Sequence, residues 1–232
     1  MNESHYAWLA AAYVRGSLGV LQPRLEELSE ADCEALVQQG QQAGLRLHRF
    51  KRTSGLPRVR KVLGWLKGLQ PPRLLDLGTG RGAFLWPLLD EFPFLEVTCL
   101  DRLDYRVADL NTVARGGVTR LSALQGELHA LPFGEREFPL VTLLEVLEHT
   151  PDPQRCLAEV ARVADQSLIL SVPSRPDDNP EHLHVLPPEQ LQAWLLPLGF
   201  QRFKAEAVLN HWVMLAQRSL RGPSVTHSCE ST

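Results

Sequence analysis

The 232-residue sequence predicts an α/β protein built on a mostly parallel sheet, with a helical extension at its N-terminus. Three observations carry the prediction. From about residue 56 to 219, short apolar runs alternate with amphipathic stretches, as strands alternate with the helices that cover them. A glycine-rich turn, "DLGTGRGAF" from Asp76 to Phe84, joins the first apolar run to a helical stretch, the junction at which parallel sheets bind ligands. The last two runs, "RFKAEAVL" and "HWVMLAQ", have too short a connection for a parallel crossover and should pair antiparallel.

Taken in order, residues 1–55 read as helical: Ser29 is placed to cap "EADCEALVQQGQQAGL", with Leu36, Val37 and Ala43 on one apolar face. Residues 56–219 form the α/β unit. "RLLDLG" and "LEVTCLD" read as its first two strands, and "FPLVTLLE" and "QSLILSVP" as two later, fully buried ones. Helices fit at Gly82–Glu91, Tyr105–Arg115 and Pro153–Ala164, the last capped by Asp152 with Leu157, Val160, Ala161 and Ala164 at helical spacing. "PPEQLQAWLLPLGF" reads as a helix with proline in its first turn and Gly199 just past its end. Pro139 lacks a backbone donor, so a bulge or strand end is expected there. Residues 220–232 are small and polar and are expected to be disordered.

Composition narrows the function classes. With a formal net charge of -3 and 22% charged residues, any nucleic-acid role must rest on a local patch. The four cysteines lack C-x-x-C pairing, which argues against a zinc site and a disulfide framework. No apolar run reaches the roughly 18 residues of a membrane span, and the N-terminus lacks the order of a secretory signal. The expectation is a cytoplasmic protein.

Gly78, Gly80 and Ala83 satisfy G-x-G-x-x-A, and Asp101 ends the next strand, so a dinucleotide fingerprint is formally present. Asp76 separates the candidates. A pyrophosphate beside that carboxylate would be repelled in a poorly screened cleft, whereas an ammonium would be attracted. S-adenosylmethionine has an α-ammonium, a sulfonium and an adenosine, but no phosphate; its carboxylate can use the turn's amides. Asp101 suits a ribose, because a carboxylate accepts from both vicinal hydroxyls. The plainer alternative is that Asp76 caps a turn and Asp101 ends a strand.

"LLDLGTGRGAF", "VTCLDR", "GELHALPF" and "FPLVTLLEVLEHTPDP" together resemble the successive motifs of class I S-adenosylmethionine-dependent methyltransferases, especially the ubiquinone and menaquinone methyltransferase group, over roughly residues 60–216. The resemblance implies a Rossmann-like seven-stranded sheet with an antiparallel last strand. It also implies that Asp76, Gly78, Thr79 and Gly80 hold the methionine portion, and that Asp101, with Arg102 beside it, binds the ribose. Glu127 and Leu128 would meet the adenine, and Leu144 and Glu145 would line the cleft near the reactive methyl. Three departures from the family pattern stand out: Glu127 where aspartate is more usual, Pro139 where an acid is usual, and the bulky Arg81 inside the turn.

Methyl transfer needs chiefly alignment and exclusion of water, and a base only where the acceptor must lose a proton. The catalytic candidates are His149, after "EVLE", and His184 in "NPEHLHVL". His149 could equally be a loop histidine bonded to backbone. Glu145, Glu148, His149, His182 and His184 also make up an oxygen and nitrogen ligand set. Some small-RNA terminal ribose methyltransferases carry a similar E-x-x-E-H stretch and a later histidine, but so do many metal-free relatives. The leading reading therefore has no metal. Its alternatives are a metal-assisted RNA ribose methyltransferase and an inactive cofactor-binding scaffold.

"LRLHRFKRTSGLPRVRK", Leu45 to Lys61, holds seven Lys or Arg residues and no acid. It is either a ridge for RNA or another phosphate-bearing substrate, or a solvated lead-in to the helix before the first strand. "SRPDDNPEH", Ser174 to His182, is either a lid beside the acceptor or a surface crossover. The acceptor itself is not specified by these residues.

Overall fold

A computed structural model describes residues 3–50 and 55–219 of the chain. The segment predicted to be a disordered tail, 220–232, lies outside the described residues, as does part of the basic segment, 51–54. Helices α1 (Glu3–Leu18) and α2 (Glu30–Gln42) precede the α/β unit. The unit then runs α3 (Pro57–Leu69), β1 (Arg73–Leu77), α4 (Leu85–Glu91), β2 (Glu96–Asp101), α5 (Asp104–Arg115), β3 (Leu121–Gln125) and β4 (Phe138–Leu144). It closes with α6 (Pro153–Val163), β5 (Ala164–Pro173), α7 (Pro188–Leu195), β6 (Phe200–Val208) and β7 (His211–Arg218).

The strands form one seven-stranded sheet in the order β3-β2-β1-β4-β5-β7-β6. Among the described strands β7 alone runs against its neighbours, pairing antiparallel with both β5 and β6, as the short connection required. The chain builds outward from β1 to β3 and returns to β4 on the other side of β1. The order therefore reverses between β1 and β4, and the crevice for a ligand opens beyond their C-terminal ends. Their register sets Asp76 opposite Thr142.

Leu74 packs on one face of the sheet, with Leu85 and Leu88 of α4 and Val62 and Leu66 of α3. Leu75 and Leu77 point to the other face, where Leu157 and Val160 of α6 and Leu191 of α7 cover them. Covered on both sides, β1 is apolar apart from the exposed Arg73 at its start and Asp76.

The N-terminal helices share the first of these cores. Leu9 and Val14 of α1 are fully buried in it, and α1 lies against α5 with almost no gap: a Cβ on Gly116 would come 1.7 Å from the Ala12 carbonyl oxygen. Arg15, 2% exposed, secures the crossing by donating to the Gly116 and Leu21 carbonyls.

Ser29 caps α2 by accepting from the Asp32 amide, and Asp152 caps α6 by accepting from the Arg155 amide. The pairing of β4 with β5 slips between Phe138 and Leu140, the irregularity expected at Pro139. Two readings need correction. Ala43 is exposed, and α2 instead buries Cys33 and Gly40, the latter tight against Val14. Strand β3 escaped the residue-level reading because it is a short edge strand with only Leu121 and Ala123 buried.

Candidate active site

Glycines 78, 80 and 82 all take positive φ, +69°, +61° and +79°, and turn the chain sharply from β1 toward α4. At Gly78 the need is also steric, since a Cβ would lie 2.5 Å from Cγ2 of Val146, in the loop after β4. The two loops flanking the crevice therefore touch through a position that admits no side chain.

Asp101 fixes the turn from the neighbouring strand. It accepts from the Gly80 amide at 2.9 Å and from the Leu103 amide at 3.0 Å, with the Arg106 guanidinium 3.4 Å away. Only 3% exposed, it locks the glycine turn to the β2–α5 loop before any ligand is considered.

Asp76 sits at the floor, also 3% exposed. The Thr142 hydroxyl donates to its Oδ1 at 2.7 Å, the direct result of the β1–β4 register. Burial pushes its carboxyl up to about 6; the Thr142 and Thr79 hydroxyls oppose the rise, and the nearby Asp101 charge adds to it. These hydroxyl partners are neutral, so the structure leaves a buried carboxylate whose charge a cation would stabilise.

All ten residues expected to bind cofactor converge: Asp76, Gly78, Thr79, Gly80, Asp101, Arg102, Glu127, Leu128, Leu144 and Glu145 line one cavity of about 620 Å³. Of the two catalytic candidates, His149 lines this cavity. His184 stands beside it with Nε2 on the Thr150 carbonyl at 3.0 Å, and is not part of the wall.

Sequence reasoning missed Arg58, which reaches the cavity wall from α3. It also missed how thoroughly Glu145 is held. Glu145 has φ +57° and is gripped by Ser171 Oγ at 2.6 Å, His211 Nε2 at 2.8 Å and Arg58 Nε at 3.8 Å. Burial lowers the His211 imidazole from its ordinary value while the Glu145 charge pulls it up. Ser171 and His211 lie on β5 and β7, far from Glu145 in sequence, so no local signal could have joined them.

The basic segment is partly absorbed by acids: Lys61 pairs with Glu206 at 2.6 Å and Arg58 with Glu145. Phe50 is buried against Tyr13 and Trp86. Lys51 and Arg52 lie outside the described residues. No helix among the described residues is long and apolar enough to cross a membrane.

Residues 75–170 match the family model of the methyltransferase domain. Over 103 residues, 44% of this chain, the sequence is 31% identical to a malonyl-[acyl-carrier protein] O-methyltransferase of Geobacter sulfurreducens, covering 38% of that protein. It is 29% identical over 104 residues, 45% of this chain, to a demethylmenaquinone methyltransferase of Thermotoga maritima, covering 44% of it. The chain thus spans less than half the length of these curated relatives. Among solved structures, magnesium protoporphyrin IX methyltransferase of Synechocystis, crystallised with bound S-adenosylmethionine, has a TM-score of 0.56 at 22% identity, over 69% of this chain and 78% of that one. That likeness shows the fold.

Proposed function

We infer that this chain, which carries a class I S-adenosylmethionine-dependent methyltransferase domain, binds S-adenosylmethionine in the cavity beyond β1 and β4 and transfers its methyl group to a small-molecule acceptor. One observation carries the reading: a buried carboxylate, Asp76, whose side-chain partners among the described residues are hydroxyls, at the floor of a glycine-turn cavity. A diphosphate placed there would meet like charge, and an ammonium would meet its opposite.

The residues present fit this cofactor. Gly80 leaves the turn open, since a Cβ there would meet nothing nearer than 3.7 Å, and backbone can approach a ligand closely. Asp76, Thr79 and the turn would hold the methionine end. Asp101 and Arg102 would serve the ribose and Glu127 and Leu128 the adenine. Asp101 already accepts from the Leu103 amide at Oδ1 and from the Gly80 amide and the Arg106 guanidinium at Oδ2, so it would meet the ribose with what remains.

When bound, the cofactor supplies a methyl carbon on a sulfonium that is already a good leaving group. The chain's own task is to orient the acceptor against it and keep water out. Glu145 is a positioning residue in this scheme: held by Ser171 and His211, it fixes Arg58 in the cavity wall near Leu144. His149 and Leu183 border the same cavity and would face the acceptor.

A small molecule is favoured over RNA because Arg58 and Lys61 of the basic segment are paired with acids. The test incubates the protein with methyl-labelled S-adenosylmethionine and fractionated cell extract. Label in the small-molecule fraction, with S-adenosylhomocysteine formed in equal amount, is the expected result. Label in RNA would overturn the acceptor class. Cofactor binding with no S-adenosylhomocysteine in any fraction would mark a scaffold.

A further inference from the structure

Glu148 is 0% exposed, and among the described residues neither of its carboxylate oxygens has a hydrogen-bond partner. Buried carboxylates are ordinarily paired, hydrogen-bonded or bound to metal. Two imidazoles stand beside this one: a ligand atom from each of Glu148, His149 and His182 lies within 4.8 Å of the other two. The His149 and His182 rings meet edge to face with centroids 4.8 Å apart.

The tautomer of His149 is set by its surroundings. Its Nδ1 lies 3.0 Å from the Glu181 carbonyl oxygen, which can only accept, so Nδ1 carries the proton and Nε2 keeps its lone pair. Histidine ligands are commonly oriented in this way, with the second nitrogen donating to backbone. His182 Nδ1 sits 2.8 Å from Asp177 Oδ1 but off the line of a hydrogen bond. The Leu183 amide donates to the Glu148 carbonyl at 2.8 Å, which ties the loop bearing His182 to the turn bearing Glu148 and His149.

We propose that Glu148, His149 and His182 bind one divalent first-row transition-metal ion beside the cavity. Two imidazoles and a carboxylate suit such an ion better than magnesium or calcium, which favour all-oxygen sets. The fold thereby sorts the five ligand-type residues of the sequence. Glu145 is committed to Ser171 and His211, and His184 is bonded to Thr150, so neither belongs to the set. An ion here would take the place of a proton-accepting His149, because a coordinated hydroxyl becomes more acidic. That consequence, unlike the site itself, rests on the methyl-transfer reading.

The test uses the full chain, freed of any tag, stripped with chelator and titrated with Co²⁺ while visible absorption is followed. One equivalent should bind, with absorption bands of nitrogen and oxygen ligation. His149→Ala and His182→Ala should each weaken binding at least about tenfold, Glu148→Gln should do the same, and His184→Ala should bind as the parent does. Circular dichroism melts identify any variant that fails to fold, and the remaining ones decide. Absence of stoichiometric binding, or binding that survives both histidine substitutions, overturns the proposal. Calorimetry with S-adenosylmethionine on the same sample separates the two claims: cofactor uptake without Co²⁺ uptake sinks the metal site alone, and Co²⁺ uptake without cofactor uptake sinks the methyl-transfer reading alone.

Discussion

Asp76→Asn should make the ligand-free protein more stable and the cofactor bind more weakly. The carboxyl moves from 3.8 to about 6 on folding, and burial is the largest cause. Ionising it in the fold therefore carries a penalty, absent below 3.8 and complete above about 6, so its effect on stability worsens as pH rises through that window. Integrated over the window, the penalty is about 3 kcal/mol at pH 8 and about 1 kcal/mol at pH 4.5. Asparagine removes it and can still accept from Thr142, so urea melts should show up to that gain at pH 8 and much less at pH 4.5. The same change deletes a charge-assisted bond to the cofactor's ammonium, which should raise the calorimetric Kd roughly 10- to 100-fold. In the parent protein, cofactor affinity should fall as pH drops below about 6, levelling off at roughly the loss that Asp76→Asn causes, as protonation removes the charge the ligand needs. A variant less stable than the parent at pH 8, or one that binds S-adenosylmethionine equally well, would refute the reasoning.

Gly78→Ala forces a side chain onto φ +69° and into Val146 at 2.5 Å, so thermal melts should show a loss of roughly 1–3 kcal/mol, with cofactor binding reduced alongside. Gly116→Ala would drive a methyl into the Ala12 carbonyl oxygen at 1.7 Å; it should loosen α1 from α5, read as faster amide hydrogen exchange in α1. Leu9→Ala, at a fully buried position, should cost about 2–5 kcal/mol in urea unfolding. Lys61→Ala breaks a solvent-exposed ion pair with Glu206 and should leave the urea midpoint close to the parent's, with any difference shrinking further in high salt.

The repeating strand and helix pattern was legible because each element carries its own period. The β1 run is apolar on both faces since helices cover both, and the caps at Ser29 and Asp152 announce their helices locally. The cavity wall was legible for a related reason: the residues named for it occur in four short motifs, each at the end of a strand, and parallel strands deliver their C-terminal ends to one side of the sheet. Strand β3 was not, because an edge strand with two buried residues lacks a strong pattern. Glu145 was read as cleft lining, but its grip by Ser171, His211 and Arg58 draws on β5, β7 and α3, and depends on which strands become neighbours.

By itself the sequence determined the class of sheet, the antiparallel last strand and the carboxylate beside the glycine turn, because periodicity, connection length and residue type act over a few positions. Tertiary structure alone decided that Asp76 meets Thr142 across the β1–β4 register, that α1 closes on α5, and that Glu148, His149 and His182 converge while Glu145 and His184 are drawn elsewhere. Those outcomes depend on strand order and loop return, which place side chains distant in sequence within a few ångströms, and no local pattern records such distances.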